Sequence, residues 1–147
     1  MMSKKCKYAL KALVQLGRNY QKGNLVTDEI ARSANIPKKF LELILLDLKR
    51  NGYVQSKQGL GGGYHLVQRP NQITMADVYR LFDGAIALQP CVSYNFRARC
   101  DDCPNEETCN LKGAFALIRE QTFQIMSKIT LATLLSNAPK IKRRKSL

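Results

Sequence analysis

The chain has 147 residues, 45% of them hydrophobic, and its 24 Lys and Arg against 11 Asp and Glu give a net charge of +13. That length suits one domain, or one domain with an appended element, and the apolar content excludes a disordered chain. Apolar runs such as Leu43 to Leu46 fall far short of the roughly 20 residues a bilayer span needs, and Lys11 breaks the run after Tyr8-Ala9-Leu10 with no small-residue cleavage site behind it, which argues against a signal peptide and for a cytoplasmic chain.

Residues 5 to 21 read as a helix, with Tyr8, Ala9, Ala12, Leu13, Leu16 and Tyr20 at helical spacing, ended by Gly23-Asn24. Thr27 is the expected N-cap of a short second helix, with Asp28 and Glu29 at its positive end and Ala34-Asn35 at its close. Pro37 suits the first position of a third helix that runs to about Asn51 and stops at Gly52. Leu41, Ile44, Leu45 and Leu48 form its expected buried face. Tyr53 to Lys57 and Tyr64 to Gln68 alternate as strands around Gln58-Gly59-Leu60-Gly61-Gly62-Gly63, a hairpin with a glycine-rich tip. Pro70-Asn71 marks a turn, and Thr74 caps a fourth helix to about Phe82. Residues 83 to 107 are irregular and hold Pro90, Pro104 and three cysteines, and so long a loop implies a metal or a partner. Asn110 to Lys128 is a long helix. Leu111, Ala114, Phe115, Ile118, Thr122, Ile125, Met126 and Ile129 repeat along it, a stripe suited to a second copy of the chain. Thr130 to Leu135 adds a short helical end, and Pro139 opens a basic tail, expected to be disordered.

The charge indicates a polyanionic partner. Five cations (Lys140, Lys142, Arg143, Arg144 and Lys145) lie in the tail, and subtracting them from +13 still leaves +8 on the body. Nucleic acid is the simplest partner for such a body. A membrane surface fits less well, because no strongly basic amphipathic helix dominates. The single histidine, His65, excludes a two-histidine zinc motif, and no nucleophile motif accompanies it. It reads as structural or phosphate-facing, and no catalytic constellation or small-molecule substrate is expected.

Helix, helix, helix, hairpin is the order of a winged helix-turn-helix, whose third helix enters the major groove. The fold expected is therefore mainly α with a small β-hairpin wing, plus a long dimerisation helix. At the entry end of the third helix, Pro37, Lys38, Lys39 and Phe40 face DNA, and Glu42 can accept from cytosine N4. The glycine loop lacks the Gly-Lys-Ser/Thr ending of a Walker loop, and it does not open a helix as a dinucleotide fingerprint must. A wing fits better, because bare backbone approaches DNA closely. Lys57 and Gln58 stand at its base, and Gly61, Gly62, Gly63 and Tyr64 along it. Lys4 and Lys7 on the first helix and Thr27 on the second complete the expected DNA-facing set.

Cys91, Cys100, Cys103 and Cys109 are spaced C-x8-C-x2-C-x5-C. In a cytosolic chain such a cluster indicates metal or redox use before disulfides. Thiolates bind zinc and iron–sulfur clusters alike, and the spacing leaves both open. Cys109 falls at the expected start of the long helix, where the helix dipole favours a thiolate. Cys6, in the first helix, reads as core or partly exposed. Four segments follow from this reading: 1–82 as the DNA-binding domain, 83–109 as the cysteine loop, 110–137 as the dimerisation helix with a short terminal helix, and 138–147 as the basic tail.

Together these features resemble the IscR, NsrR and CymR type of bacterial winged-helix repressors. The resemblance rests on Lys4 to Leu13 with Tyr8-Ala9-Leu10, on Leu41-Glu42 through Leu48-Lys49-Arg50-Asn51-Gly52-Tyr53-Val54, on Gly59-Leu60-Gly61-Gly62-Gly63-Tyr64 with Leu66, and on Ile129 to Leu135. It implies a homodimer joined through the long helix, acting at promoters. Many such proteins hold a [2Fe–2S] or [4Fe–4S] cluster on three cysteines between the fourth helix and the dimerisation helix, and Cys91, Cys103 and Cys109 match those positions. Lys112 stands where relatives similar to the iron–sulfur assembly regulator have a ligand histidine, so Cys100 or a group from the partner's first helix is the expected fourth ligand. Gln58 stands where many relatives have a wing arginine. The function expected is a homodimeric regulator, read as a repressor, that binds a near-palindromic operator under control of the cluster. A regulator with structural zinc or no metal, taking its signal from a partner protein, is the alternative, and an iron–sulfur electron carrier is the more remote one.

Overall fold

The computed structural model describes residues 2–136. Ser3 begins α1 (Lys4–Arg18) by accepting the Cys6 N–H on its hydroxyl at 3.0 Å. The helix stops about three residues earlier than its periodicity suggests. Asn19 ends it, and Gln21 then takes a left-handed φ of 61°. α2 (Thr27–Ala34) closes on Asn35 at φ 51°, a left-handed position that asparagine tolerates. Thr27 is not its cap: Val26 holds the N-cap position and Thr27 is the first helical residue, with no side-chain capping bond. Pro37 likewise is the N-cap of α3 (Lys38–Arg50) and lies one residue outside it. Leu41, Ile44, Leu45 and Leu48 are fully buried, as their spacing predicts.

β1 (Val54–Lys57) and β2 (Gly63–Leu66) pair antiparallel, from Val54 opposite Leu66 to Lys57 opposite Gly63. Both strands are shorter than the alternation suggested. A 3-10 turn at Pro70–Gln72 leads to α4 (Met75–Asp83), and the Thr74 hydroxyl caps it by accepting the Asp77 N–H at 3.1 Å. A second 3-10 turn, Pro90–Val92, is the regular piece of the cysteine loop. α5 (Lys112–Lys128) then runs to Ile129, and α6 (Leu131–Leu135) follows under a Thr130 cap.

The core lies where α1 crosses α2 and α3, centred on Ala9, Leu13, Ile30, Leu41, Ile44 and Leu45. The chain end returns to this core: Met75 N–H donates to Ile129 O and Leu131 N–H to Ile73 O, each at 2.8 Å. Gly17 permits the closure, since a Cβ there would stand 2.9 Å from Leu135 Cδ1 and 3.3 Å from Leu131 Cδ2. Cys6 is fully buried in this core. Burial, then the charge and hydrogen bond of Asp83, push its thiol pKa up to about 12. Among the described residues no helix is long and apolar enough to cross a membrane. The basic tail read for 138–147 lies outside the described residues.

Candidate functional site

The buried residues of α3 occupy one side, so helical spacing turns Lys39, Leu43, Leu46 and Arg50 to the opposite side. All four are exposed. Toward α1, Phe40 packs edge-on against Tyr8 with ring centroids 5.7 Å apart, and Asp47 pairs with Lys5 at 2.7 Å. Toward α2, Lys38 pairs with Asp28 at 2.8 Å. The hydrogen bond and charge of that carboxylate raise the Lys38 pKa above the ordinary lysine value. Lys49 reaches the hairpin and donates to the Ser56 hydroxyl at 2.6 Å. Glu42 and Lys39 are exposed, and Lys4 and Lys7 lie exposed on the outer side of α1.

The wing is fastened at its root. Leu25, in the segment before α2, exchanges two backbone hydrogen bonds with Tyr64, at 2.9 and 2.8 Å. Asn24 Nδ2 donates to Gly61 O at 2.8 Å, and Asn24 Oδ1 accepts from His65 Nδ1, also at 2.8 Å. His65 thus braces the wing through Nδ1. Gly62 N–H donates to Gly59 O at 3.0 Å and closes the tip, while Lys57 and Gln58 stand exposed beside it.

Cys91, Cys100, Cys103 and Cys109 line one cavity of about 300 Å³, together with Gln89, Glu106, Lys112 and Phe115. The Cys100 thiol is held above its ordinary pKa, first by a hydrogen bond with Cys91 and then by burial. Lys112 does not face the cavity as a free amine. It pairs with Glu106 at 2.9 Å, Arg97 pairs with the same carboxylate at 3.0 Å, and these two cations lower the Glu106 pKa. Arg99 donates to Cys103 O at 2.9 Å through Nε and binds the turn at Pro104 as well. Cys109 lies before the first turn of α5, not inside it: Leu111 is the N-cap, and Lys112 N–H donates to Cys109 O at 3.3 Å. Among the described residues no three Cys, His, Asp or Glu side chains converge closely enough to hold a metal ion. The four thiols share a cavity without forming a closed ligand set.

α5 joins this loop to the rest of the chain. Arg119 donates to Val92 O at 2.7 Å and lies 3.9 Å from the Tyr94 ring centroid, whose hydroxyl donates to Glu120 at 2.6 Å. Phe123 packs against Tyr94 and under Arg80 of α4. The stripe expected for dimerisation therefore divides. Phe115, Met126 and Ile129 are half-buried, whereas Leu111, Ala114, Ile118, Thr122 and Ile125 are exposed, joined by Leu117 at 62% exposure.

Sequence reasoning did not single out Leu43, Leu46, Lys49, Arg50, Asn24 or Arg119. Counting three and four residues from Lys39 finds the α3 set directly. Asn24 and Arg119 act through residues 37 and 27 positions away, so no local pattern reveals them.

A helix-turn-helix beside a glycine-tipped, backbone-anchored hairpin defines a winged-helix DNA-binding protein. A family model described as Rrf2, iron-dependent transcriptional regulator, matches residues 2–137. The chain belongs to the Rrf2 family of transcriptional regulators, which work by binding DNA and are not enzymes. It is 37% identical over 139 residues to an rrf2-like HTH-type regulator of Rhodobacter capsulatus, covering 92% of this chain and 93% of that protein. It is 28% identical over 130 residues to the regulator NsrR of Geobacillus kaustophilus, covering 88% and 86%. The structure of CymR, the global cysteine regulator of B. subtilis, superposes with a TM-score of 0.76 at 24% identity, over 95% of this chain and 98% of that one. The T. potens IscR structure gives 0.72 at 22% identity, over 99% and 93%. At those identities the two structures establish the fold.

Proposed function

We propose that the chain is a homodimeric repressor that clamps a near-palindromic operator, with α3 in the major groove and the wing against the backbone or minor groove. The observation that supports this best is the outward face of α3 beside a wing tied down through Leu25, Asn24 and His65. Lys39, Lys49, Arg50 and Lys57 supply phosphate contacts and Glu42 a base contact. Lys4, Lys7, Thr27, Pro37, Lys38, Phe40, Gln58, Gly61, Gly62, Gly63 and Tyr64 complete the proposed DNA-facing surface. Lys38 contributes less than Lys39 because Asp28 already balances it, and Phe40 contributes less because it rests on Tyr8. Dimerisation through Leu117, Ile118 and Ile125 sets two recognition helices a fixed distance apart and hence the half-site spacing.

We further propose that Cys91, Cys103 and Cys109, with Cys100 nearby, hold an iron–sulfur cluster. The donor chemistry fits: four thiols border one cavity, and Arg99 holds the turn that carries Cys103 through the Cys103 carbonyl. A bound cluster would supply electron-transfer chemistry and sensitivity to oxidants. The residues themselves provide the coupling. Cys91 sits in the turn that Arg119 grips through Val92 O, so drawing the four cysteines together pulls on α5 and thereby on the dimer. A shift of about 1–3 kcal/mol between two dimer arrangements suffices for regulation.

Protein purified without oxygen would be tested for iron, sulfide and zinc, and then for binding to promoter DNA across a salt series. Iron and sulfide with steep salt-dependent binding that changes when the cluster is lost is the expected result. Stoichiometric zinc, or equal operator affinity with and without the cluster, would overturn the sensing part. Binding with no salt dependence would overturn the DNA part.

A further inference from the structure

Leu43 is 58% exposed and Leu46 is 40% exposed on the outward face of α3. Single exposed leucines are ordinary. These two stand one helical turn apart in the middle of the face, between Lys39 at one end and Arg50 at the other, with Glu42 and Lys49 alongside. Among the described residues both remain open to solvent. A second copy of the chain fits the face poorly, because stacking it on itself brings Lys39, Lys49 and Arg50 against their own counterparts. An anionic duplex meets those cations favourably. Within a major groove, guanine, cytosine and adenine edges carry donors and acceptors but no methyl, and a leucine against them strips water from polar groups it cannot replace. Thymine alone offers a methyl group, at its 5 position.

We propose that Leu43 and Leu46 are specificity residues that read thymine 5-methyl groups, so that each half-site carries thymine where the middle of α3 crosses the groove. The inference rests on the DNA-binding reading and adds a base preference to it. Lys39 and Arg50 position the helix on the phosphates, and the leucines select the bases between them.

Uracil differs from thymine only by that methyl, so it leaves base pairing intact. The full chain would select duplexes from a random library, and the selected duplex would be remade with each thymine in turn replaced by deoxyuridine. Anisotropy at fixed salt should show an affinity loss of about fourfold, the worth of one buried methyl, at one or two positions per half-site. The Leu43→Ala, Leu46→Ala double variant should keep the parent's thermal stability, because both side chains are exposed, and should no longer distinguish uracil from thymine at those positions. A parent protein indifferent to every uracil, while still binding the selected duplex, overturns this inference alone. So does a double variant that alters self-association yet retains the parent's uracil sensitivity. A chain that retains no duplex overturns the DNA-binding reading together with the inference.

Discussion

Replacing Gly63 by alanine tests how the wing is held. Gly63 has φ 126°, and a Cβ there would overlap the Leu25 carbonyl, lying 2.6 Å from its carbon and 3.0 Å from Val26 N. Alanine cannot keep that φ, so β2 must withdraw from Leu25 and the two Leu25–Tyr64 hydrogen bonds at 2.9 and 2.8 Å are put at risk. Backbone strain of about 1–3 kcal/mol, with about 0.5–1.5 kcal/mol for each of the two bonds lost, gives about 2–6 kcal/mol. In a chain of this length each kcal/mol moves Tm by about 2–4 °C, so a fall of about 4–24 °C is expected at matched protein concentration. Gly61→Ala is the control. Its φ is 69°, nothing lies within 4 Å of the added carbon, and the left-handed penalty alone is about 1–2 kcal/mol. Circular dichroism melts give the ordering, and anisotropy with duplex DNA tests whether a detached wing also weakens binding. Equal losses at the two glycines, or a larger one at Gly61, would refute the claim that contact with Leu25 anchors the wing.

Three other outcomes are expected. Lys39→Ala should lower the salt slope of DNA binding by about one unit and Lys38→Ala by less, since Asp28 already pairs with Lys38 at 2.8 Å; equal slopes would show that this pairing does not persist against DNA. Leu117→Glu with Ile118→Glu should yield folded monomers in sedimentation velocity, because both side chains are exposed on α5; an unchanged dimer would move the interface elsewhere. In cluster-free native protein at pH 8, alkylation should modify Cys100, Cys103 and Cys109 and spare Cys6, which is fully buried and whose pKa of about 12 keeps it protonated. Between the usual thiol value and about 12 the unfolded chain ionises Cys6 while the folded chain does not, so stability falls as pH rises through that window; Cys6 labelling at the rate of Cys100, Cys103 and Cys109 would contradict its burial.

The DNA-binding half was the more legible part. The buried face of α3, the Asn35 and Gly52 helix ends, the Thr74 cap and the glycine-tipped hairpin all rest on neighbours within a few residues, which local pattern reports well. The misplacements were local choices settled by distant contacts. Thr27 has the chemistry of a cap, but Leu25 is pinned to Tyr64, and that fixes where the chain turns into α2 and puts Val26 at the cap. The long helix misled for another reason. Ala114-Phe115-Ala116-Leu117-Ile118 is apolar nearly all round, so no single face stands out, and the packing of Arg119 and Phe123 on Val92, Tyr94 and Arg80 selects the inner side.

The amino-acid sequence by itself determined the winged helix-turn-helix order, the basic character and the set of cysteines, because short-range periodicity, turn residues and counts carry that information. Only the tertiary structure decided which cations are already paired, how Asn24 braces the wing and that the four cysteines share one cavity. Those depend on contacts between residues far apart in the chain, which form only when the core around Leu13 and Ile44 brings the elements together.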